Sequence, residues 1–259
     1  MLWEKSELLD EIKIHESLSA VYEKWSFENQ QQFINFCTGV SGIKFLYDGF
    51  FKELMNPEYT PERLNEFLSL LLKTNVTVRE ILPNDSTRIT DESSLLITDI
   101  VVTLDDGSLA NVEVQKIGYF FPGQRSACYS ADLLLRQYKR VRGEQGEKFR
   151  YKDIQPVYTI ILMEKSSEVF KEMPEDYIHR IEPKSDTGIE IELLQTFIFI
   201  PLDIFKKKYH NKGITNKLDA WLVFLSLDEP KDIIKLIWSL GKEIDKNPKI
   251  REKIRVVYL

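Results

Sequence analysis

Residues 95–116 of the chain read LLITDIVVTLDDGSLANVEVQK. Residues 95–104 are rich in β-branched and large apolar side chains, and an alternating pattern returns over 109–115. Between them, Asp105-Asp106-Gly107 is typical of a hairpin turn. The pattern therefore predicts two antiparallel strands joined by a tight turn.

These two strands carry polar residues where apolar ones are expected. Asp99 interrupts an apolar run, where an unpaired buried carboxylate would be costly. Glu113 and Gln115 share one strand face, and Val114 takes the other. A hairpin brings Asp99 close to Glu113, which makes an oxygen-rich site suited to Mg²⁺ or Mn²⁺. From the residues alone, a structural carboxylate at Asp99 and a solvated strand face at 113–115 remain alternatives.

The elements around the hairpin predict an α/β order. Thr60-Pro61 is a typical helix start, and a second helix is predicted over 125–142. A continuous apolar run at 156–162 is typical of a buried strand. The other predicted elements are helices within 5–55, a strand at 189–200, and helices at 217–227 and 231–244.

Length and composition indicate an ordinary globular protein. The chain has 259 residues, of which 43% are hydrophobic and 29% charged. Its 2 cysteines have no metal-type spacing, which predicts a reducing, cytoplasmic compartment. No apolar stretch approaches the roughly 20 residues of a membrane helix, so we expect no membrane partner.

The charge distribution contains one basic block in an acidic chain. The formal net charge of −6 argues weakly against nucleic acid, but residues 125–152 contain eight basic and three acidic residues. On a helix, one sector of this block would be basic, which suits DNA phosphates, although a solvated face is the alternative. The basic sector comprises Arg125, Tyr129, Asp132, Arg136, Lys139 and Arg140. The predicted core sector comprises Ala127, Cys128, Ala131, Leu134, Leu135 and Tyr138.

The hairpin resembles a known active-site pattern. Asp, a variable hairpin and then Glu-x-Lys is the pattern of PD-(D/E)XK nucleases, and residues 99–115 are similar to it. The closer resemblance is to the recombination-promoting nuclease and transposase family, in which Gln commonly takes the last place. It covers roughly residues 44–165, with looser similarity at 221–225. The other matching positions are Asp48, Phe51, Lys52, Arg125, Tyr129, Gln137 and 156–162.

This resemblance implies a restriction-endonuclease-like αβββαβ core, a mixed sheet flanked by helices, over residues 44–165. A helical extension over 1–43 and a mostly helical part over 166–259, packed on the core, would complete the chain. Asp99 and Glu113 would bind Mg²⁺ or Mn²⁺, aided by the Val114 carbonyl. Gln115 would replace the Lys; it can hydrogen-bond a water but carries neither a proton for transfer nor a positive charge.

The implied function is metal-dependent DNA cleavage. The resemblance and the basic sector give five expected DNA contacts, Arg125, Tyr129, Arg136, Gln137 and Arg140, with Gln137 near the active site. A homodimer is left open. The alternatives are a weak or inactive DNA-binding module of the same fold, or an RNA-directed phosphodiesterase.

The sequence leaves the roles of three further acidic residues open, Glu62, Glu66 and Asp48. Glu62 or Glu66 of the first core helix would join the metal site in some relatives, although helix solvation is the simpler interpretation. Asp48 and Lys52 have the spacing of a surface ion pair as well as the family match.

Overall fold

The computed structural model describes residues 3–40, 46, 51, 55–58, 60–82, 96–115, 122–212 and 216–226. Backbone contacts divide the chain into two compact units. One is formed by Met1–Phe50 together with Val223–Leu259, and the other by Phe51–Leu222.

The described part of the first unit begins with three helices. They are α1 (Lys5–Ile14), α2 (Glu16–Lys24) and α3 (Phe27–Cys37). Leu8 and Ile12 of α1 pack against Ile34 of α3 in a small apolar cluster. The helical prediction for the N-terminal region is confirmed over these ranges.

The second unit has the predicted αβββαβ order. Its first elements are α4 (Pro61–Leu72), β1 (Val78–Ile81), β2 (Leu96–Leu104), β3 (Leu109–Gln115), α5 (Pro122–Gln145) and β4 (Val157–Met163). After these come α6 (Glu168–Lys171), β5 (His179–Ile181), β6 (Gln195–Pro201) and α7 (Leu202–Lys212). Helix α8 (Lys217–Ser226) begins in this unit, and its residues from Val223 onward belong to the first. Among the described residues, the strands form one mixed sheet flanked by helices, as predicted.

The sheet order is β1-β2-β3-β4-β6-β5. The first three strands are antiparallel neighbours, β3, β4 and β6 are parallel, and β5 is antiparallel to β6. Strand β6 pairs with all of β4, from Val157 opposite Gln195 to Met163 opposite Pro201. The sheet therefore continues past residue 165, where the core was predicted to end, because an apolar strand from the C-terminal third covers the open edge of β4.

The β2–β3 turn forms where the sequence predicts it. The Gly107 backbone has a φ of 86°, a left-handed conformation that glycine adopts without strain. Its N–H donates to the Leu104 carbonyl at 2.8 Å, and the Ser108 N–H donates to the Asp106 carboxylate at 2.9 Å. This turn fixes which residues of β2 and β3 face one another.

Helix α5 buries a different face from the one predicted. The predicted core sector was wrong, because Ala127, Cys128, Ala131 and Leu135 are exposed. The buried side chains are instead those of Ser126, Ser130, Leu133 and Gln137. Three of these four side chains are polar, and Leu133 packs with Leu109 and Val157. The buried face of α5 is therefore rotated by about 120° around the helix axis from the predicted face.

The C-terminal predictions were met in part. The strand predicted at 189–200 is formed only over Gln195–Pro201, and the apolar side chains at 189, 191 and 193 are exposed. Helix α8 matches the prediction for 217–227, and the helix predicted at 231–244 lies outside the described residues. In the ranges that the structure describes, no helix is long and apolar enough to cross a membrane.

Candidate active site

The register of the hairpin sets the geometry of the candidate site. Asp99 of β2 lies directly opposite Glu113 of β3. Opposed positions of antiparallel strands are neighbours on one sheet face. The side chain of Asp99 is outside the described residues, so the predicted convergence of the two carboxylates stays a prediction.

Glu113 and Gln115 lie on a fully buried strand, β3. All seven residues of β3 are buried, because β2 and β4 flank it and the sheet is covered on both faces. The side chains of Glu113 and Gln115 have no exposed surface. The Gln115 amide Nε2 donates a hydrogen bond of 2.8 Å to Glu113 Oε1. The predicted pair is thus one hydrogen-bonded unit inside the protein.

Arg125 brings a positive charge to this unit. It lies in the first turns of α5, its side chain is 11% exposed, and its Nε is 3.4 Å from Glu113 Oε1. The Arg125 guanidinium also lies over the Tyr129 ring, 5.2 Å from the ring centre, in a cation–π arrangement. A buried carboxylate is costly unless a cation and hydrogen bonds compensate it, and Arg125 with Gln115 does so here.

The donor set fits a hard divalent cation. Gln115 Oε1 is buried and accepts no hydrogen bond from the residues that the structure describes. A buried acceptor in this state is costly, and a cation or a water satisfies it. Carboxylate and amide oxygens are ligands that Mg²⁺ and Mn²⁺ accept. Among the described side chains, which do not include that of Asp99, no cluster of three or more His, Cys, Asp or Glu suited to a metal ion forms.

The remaining arginines of the basic sector lie farther along α5. Arg136 forms an ion pair with Asp132, with Nε and Oδ2 2.8 Å apart. Arg140 pairs with Glu80 of β1 at 3.7 Å. Both arginines are half-buried, so part of each guanidinium is available at the surface.

Gln137 is placed at the opposite end of the sheet from Glu113. Its side chain is buried, and its Oε1 accepts a hydrogen bond from the Gln155 backbone N–H, just before β4 begins. Glu113 is paired with Ile161 near the other end of β4. Gln137 is twelve positions after Arg125 on the helix, which is about 18 Å along the helix axis. The structure therefore brings Arg125, but not Gln137, to the predicted site.

Glu66 of α4 is engaged elsewhere. Its Oε1 lies 2.7 Å from the Lys217 ammonium, and its Oε2 accepts from the Trp221 indole N–H at 3.3 Å. Both carboxylate oxygens thus join α4 to α8. Glu62, the other candidate on α4, is exposed. Asp48 and Lys52 lie outside the described residues.

The contact between Arg125 and Glu113 is the feature of the site that the sequence does not predict. Arg125 was assigned to the DNA-facing sector, whereas its guanidinium reaches the carboxylate itself. A basic residue one turn before an aromatic one, Arg125 and Tyr129, was the available signal. This signal does not identify the partner of Arg125, because the partner depends on how α5 packs on the sheet.

Comparison with known proteins agrees with the predicted fold. A family model described as PD-(D/E)XK nuclease family transposase matches residues 46–256. This range contains the described hairpin, α5 and the whole six-stranded sheet. No curated protein and no solved structure matches the chain.

Proposed function

Because this chain belongs to the PD-(D/E)XK nuclease family transposases, we propose that it hydrolyses DNA phosphodiester bonds with a divalent metal ion, Mg²⁺ or Mn²⁺. The observation that carries the proposal is the buried Glu113–Gln115 pair with Asp99 opposite Glu113 in the strand register. Burying such a pair costs stability, which a structural role alone does not require.

The proposed metal ligands are the Asp99 and Glu113 carboxylates and the Val114 carbonyl. A divalent ion held there supplies Lewis acidity toward the scissile phosphate and lowers the pKa of a water molecule. Gln115 orients that water through its amide, since it can both donate and accept a hydrogen bond. Glu113 has no exposed surface, so a phosphate reaches it only when the residues that cover it move.

Arg125 would then have two partners in turn. Without the metal, its guanidinium compensates the Glu113 carboxylate at 3.4 Å. With the metal bound, that compensation is redundant, and the planar guanidinium is suited to hold a phosphate oxygen of the substrate. Tyr129 supports Arg125 in both arrangements through the ring contact. For Arg136 and Arg140 we keep the DNA-contact assignment as part of the proposal. Gln137 is buried and accepts from the Gln155 N–H, so we no longer assign it a DNA contact.

A second candidate function is a DNA-binding module of the same fold with little or no activity. The ion pair between Arg125 and Glu113 favours it, because a carboxylate already neutralised by a guanidinium binds a second cation less strongly. Gln115 in place of Lys points the same way, since an amide cannot take up a proton.

A plasmid assay separates the two functions. Supercoiled DNA is incubated with the purified protein and Mg²⁺, Mn²⁺ or EDTA, and Asp99→Ala and Glu113→Gln serve as controls. We expect nicked or linear DNA with either metal, none with EDTA, and none with either variant. Intact plasmid with wild-type protein that still binds DNA would establish the inactive module. A labelled RNA of matched sequence, run in parallel, separates DNA cleavage from RNA cleavage.

A further inference from the structure

A groove of about 670 Å³ lies at the far end of α5 from Glu113. Part of α5, the turns that follow it and the segment before β6 enclose it. Its walls include Leu135, Tyr138, Tyr151, Lys152, Glu192 and Leu194. We call it the far-end groove. Tyr138 is thirteen residues after Arg125, so the groove begins about 20 Å along the helix axis from the candidate active site.

Two aromatic rings, those of Tyr138 and Tyr151, line this groove, and Phe149 packs against both. The rings of Tyr138 and Tyr151 are parallel within 6°, with centres 6.0 Å apart. Phe149 packs edge-on against both, at 5.5 Å from Tyr138 and 5.3 Å from Tyr151. Tyr151 leaves 76% of its surface in solvent, so much of its ring is open to a ligand.

Basic side chains alternate with these rings along the chain. Residues 148–152 read Lys-Phe-Arg-Tyr-Lys, and both lysines are exposed. Neither lysine forms an ion pair with any residue that the structure describes. Arg150 donates to the backbone carbonyls of Glu147 and Phe149, which orders the turn that carries the lysines. The turn thus presents an open aromatic face between two available ammonium groups.

We propose that the far-end groove binds an unpaired segment of DNA, with a base against the open face of Tyr151 and the flanking phosphates near Lys148 and Lys152. The inference rests on the proposed function for the identity of the strand as DNA. Alternating stacking surfaces and cations are what single strands bind, because every base has a π-face and every nucleotide a phosphate. Glu192 in the groove wall repels phosphate, which leaves the base as the group that enters.

Duplex DNA fits this surface less well than a single strand. A duplex presents phosphates to the lysines, but its bases are stacked on one another and offer no face to Tyr151. The groove would therefore prefer DNA that is opened or frayed near the cleavage site. Tyr151 decides that preference, while the lysines contribute to the binding of both forms.

Binding without cleavage tests the inference. Fluorescence anisotropy in EDTA compares an oligo-dT of about 20 nucleotides with a blunt duplex of the same length. Tyr151→Ala should weaken oligo-dT binding about tenfold, through loss of one stacking contact, and leave duplex binding nearly unchanged. Tyr151→Phe should retain the wild-type affinity. Phe27→Ala removes another exposed aromatic, on α3, and is the matched control.

A charge variant tests the phosphate contacts separately. Lys148→Gln with Lys152→Gln should flatten the salt dependence of oligo-dT binding by about 0.7 per lost phosphate contact, whereas Tyr151→Ala should leave the slope unchanged. The inference would be overturned if Tyr151→Ala bound oligo-dT with wild-type affinity, or if it lost as much affinity for the duplex as for oligo-dT. Plasmid cleavage is scored independently: cleavage without a Tyr151 effect refutes this inference alone, and a Tyr151 effect without cleavage refutes the proposed nuclease alone.

Discussion

Gln115 is the residue at which this chain departs from the Lys of the PD-(D/E)XK pattern. Its Nε2 is committed to Glu113, and its buried Oε1 has no partner among the described residues. If this amide orients the attacking water, Gln115→Ala should lose on the order of 10²–10³ in rate while Mn²⁺ and DNA affinities stay near wild type. Gln115→Lys should cleave at least as fast as wild type. Single-turnover cleavage with parallel Mn²⁺ titration measures both.

Asp99→Ala is the comparison for the Gln115 variants. It removes a charged ligand that water cannot replace, so Mn²⁺ binding and cleavage should disappear together. Cleavage at the wild-type rate by Gln115→Ala would reduce Gln115 to a neighbour of the site.

Arg125 compensates a buried carboxylate, and its removal should be costly. Arg125→Met keeps the length of the side chain and removes the charge, leaving Glu113 without its guanidinium partner. We expect a loss of about 3–5 kcal/mol in the free energy of unfolding, measured by urea denaturation without metal. Added Mn²⁺ should recover part of it, because the ion binds the native state only.

Two variants control the Arg125 prediction. Arg136→Met breaks a more exposed ion pair on the same helix and should cost at most about 1 kcal/mol. Arg125→Met combined with Glu113→Gln removes both charges and should be more stable than Arg125→Met alone. Equal losses for Arg125→Met and Arg136→Met would mean that the Glu113 contact does not stabilise the fold.

Helix α5 is held to the sheet through a seam of small polar side chains. Ser130 Oγ accepts a hydrogen bond of 3.0 Å from Gln195 Nε2 of β6, whereas the Ser126 hydroxyl, one turn earlier, has no partner among the described residues. Ser130→Ala should therefore cost about 0.5–1.5 kcal/mol in the free energy of unfolding. Ser126→Ala should be close to neutral. Urea denaturation of the two variants measures both losses of stability. Equal losses would show that packing of the helix, and not the Ser130 hydrogen bond, accounts for the stability of this contact.

The outer face of α5 is the proposed site of DNA phosphate contacts. Replacing Arg136 and Arg140 by Gln should weaken duplex binding and flatten the salt slope by about 0.9 for each lost phosphate contact. Each arginine already has a carboxylate partner, Asp132 and Glu80 respectively. Asp132→Asn and Glu80→Gln should therefore bind DNA more tightly than wild type. An unchanged slope in the double arginine variant would place the DNA on another face.

Within the second unit, Tyr177 joins the segment before β5 to α8, which is 42 residues away in the chain. Its hydroxyl donates a 2.6 Å hydrogen bond to the buried Asp219 carboxylate of α8. Burial, and then this hydrogen bond, raise the pKa of Tyr177 to about 12. A raised folded-state pKa stabilises the fold fully below the ordinary pKa of about 10, and this stabilisation is lost as the pH rises through about 12.

Tyr177→Phe tests that contact. At pH 8 the variant should lose about 1 kcal/mol in the free energy of unfolding, because a partly exposed hydrogen bond is removed. Between about pH 10 and pH 12 it should lose less further stability than wild type, because the titrating group is gone. Urea denaturation at several pH values measures both effects, and Tyr151→Phe on the exposed turn is the control. If wild type and Tyr177→Phe lost the same stability between about pH 10 and pH 12, the loss could not be assigned to titration of Tyr177.

The sequence by itself determined the hairpin that carries the candidate site. Asp99 and Glu113 lie within one local pattern, in which strand alternation and the Asp-Asp-Gly turn decide the pairing. The start of α4 at Thr60-Pro61 and the apolar run of β4 are local in the same sense, and each was predicted within a few residues. The family match rests on this same part of the chain and beyond it, over residues 46–256.

The side chains that complete the site depend on tertiary packing. The buried face of α5, which includes Ser126 and Ser130, is set by how the helix packs on the sheet, and helical periodicity does not give that orientation. The contact of Arg125 with Glu113 depends on how α5 packs on the sheet. The place of β6 beside β4 joins segments far apart in the chain. Short-range sequence patterns encode backbone conformation. These contacts depend instead on how whole helices and strands pack, and close packing is governed by the size and shape of the side chains.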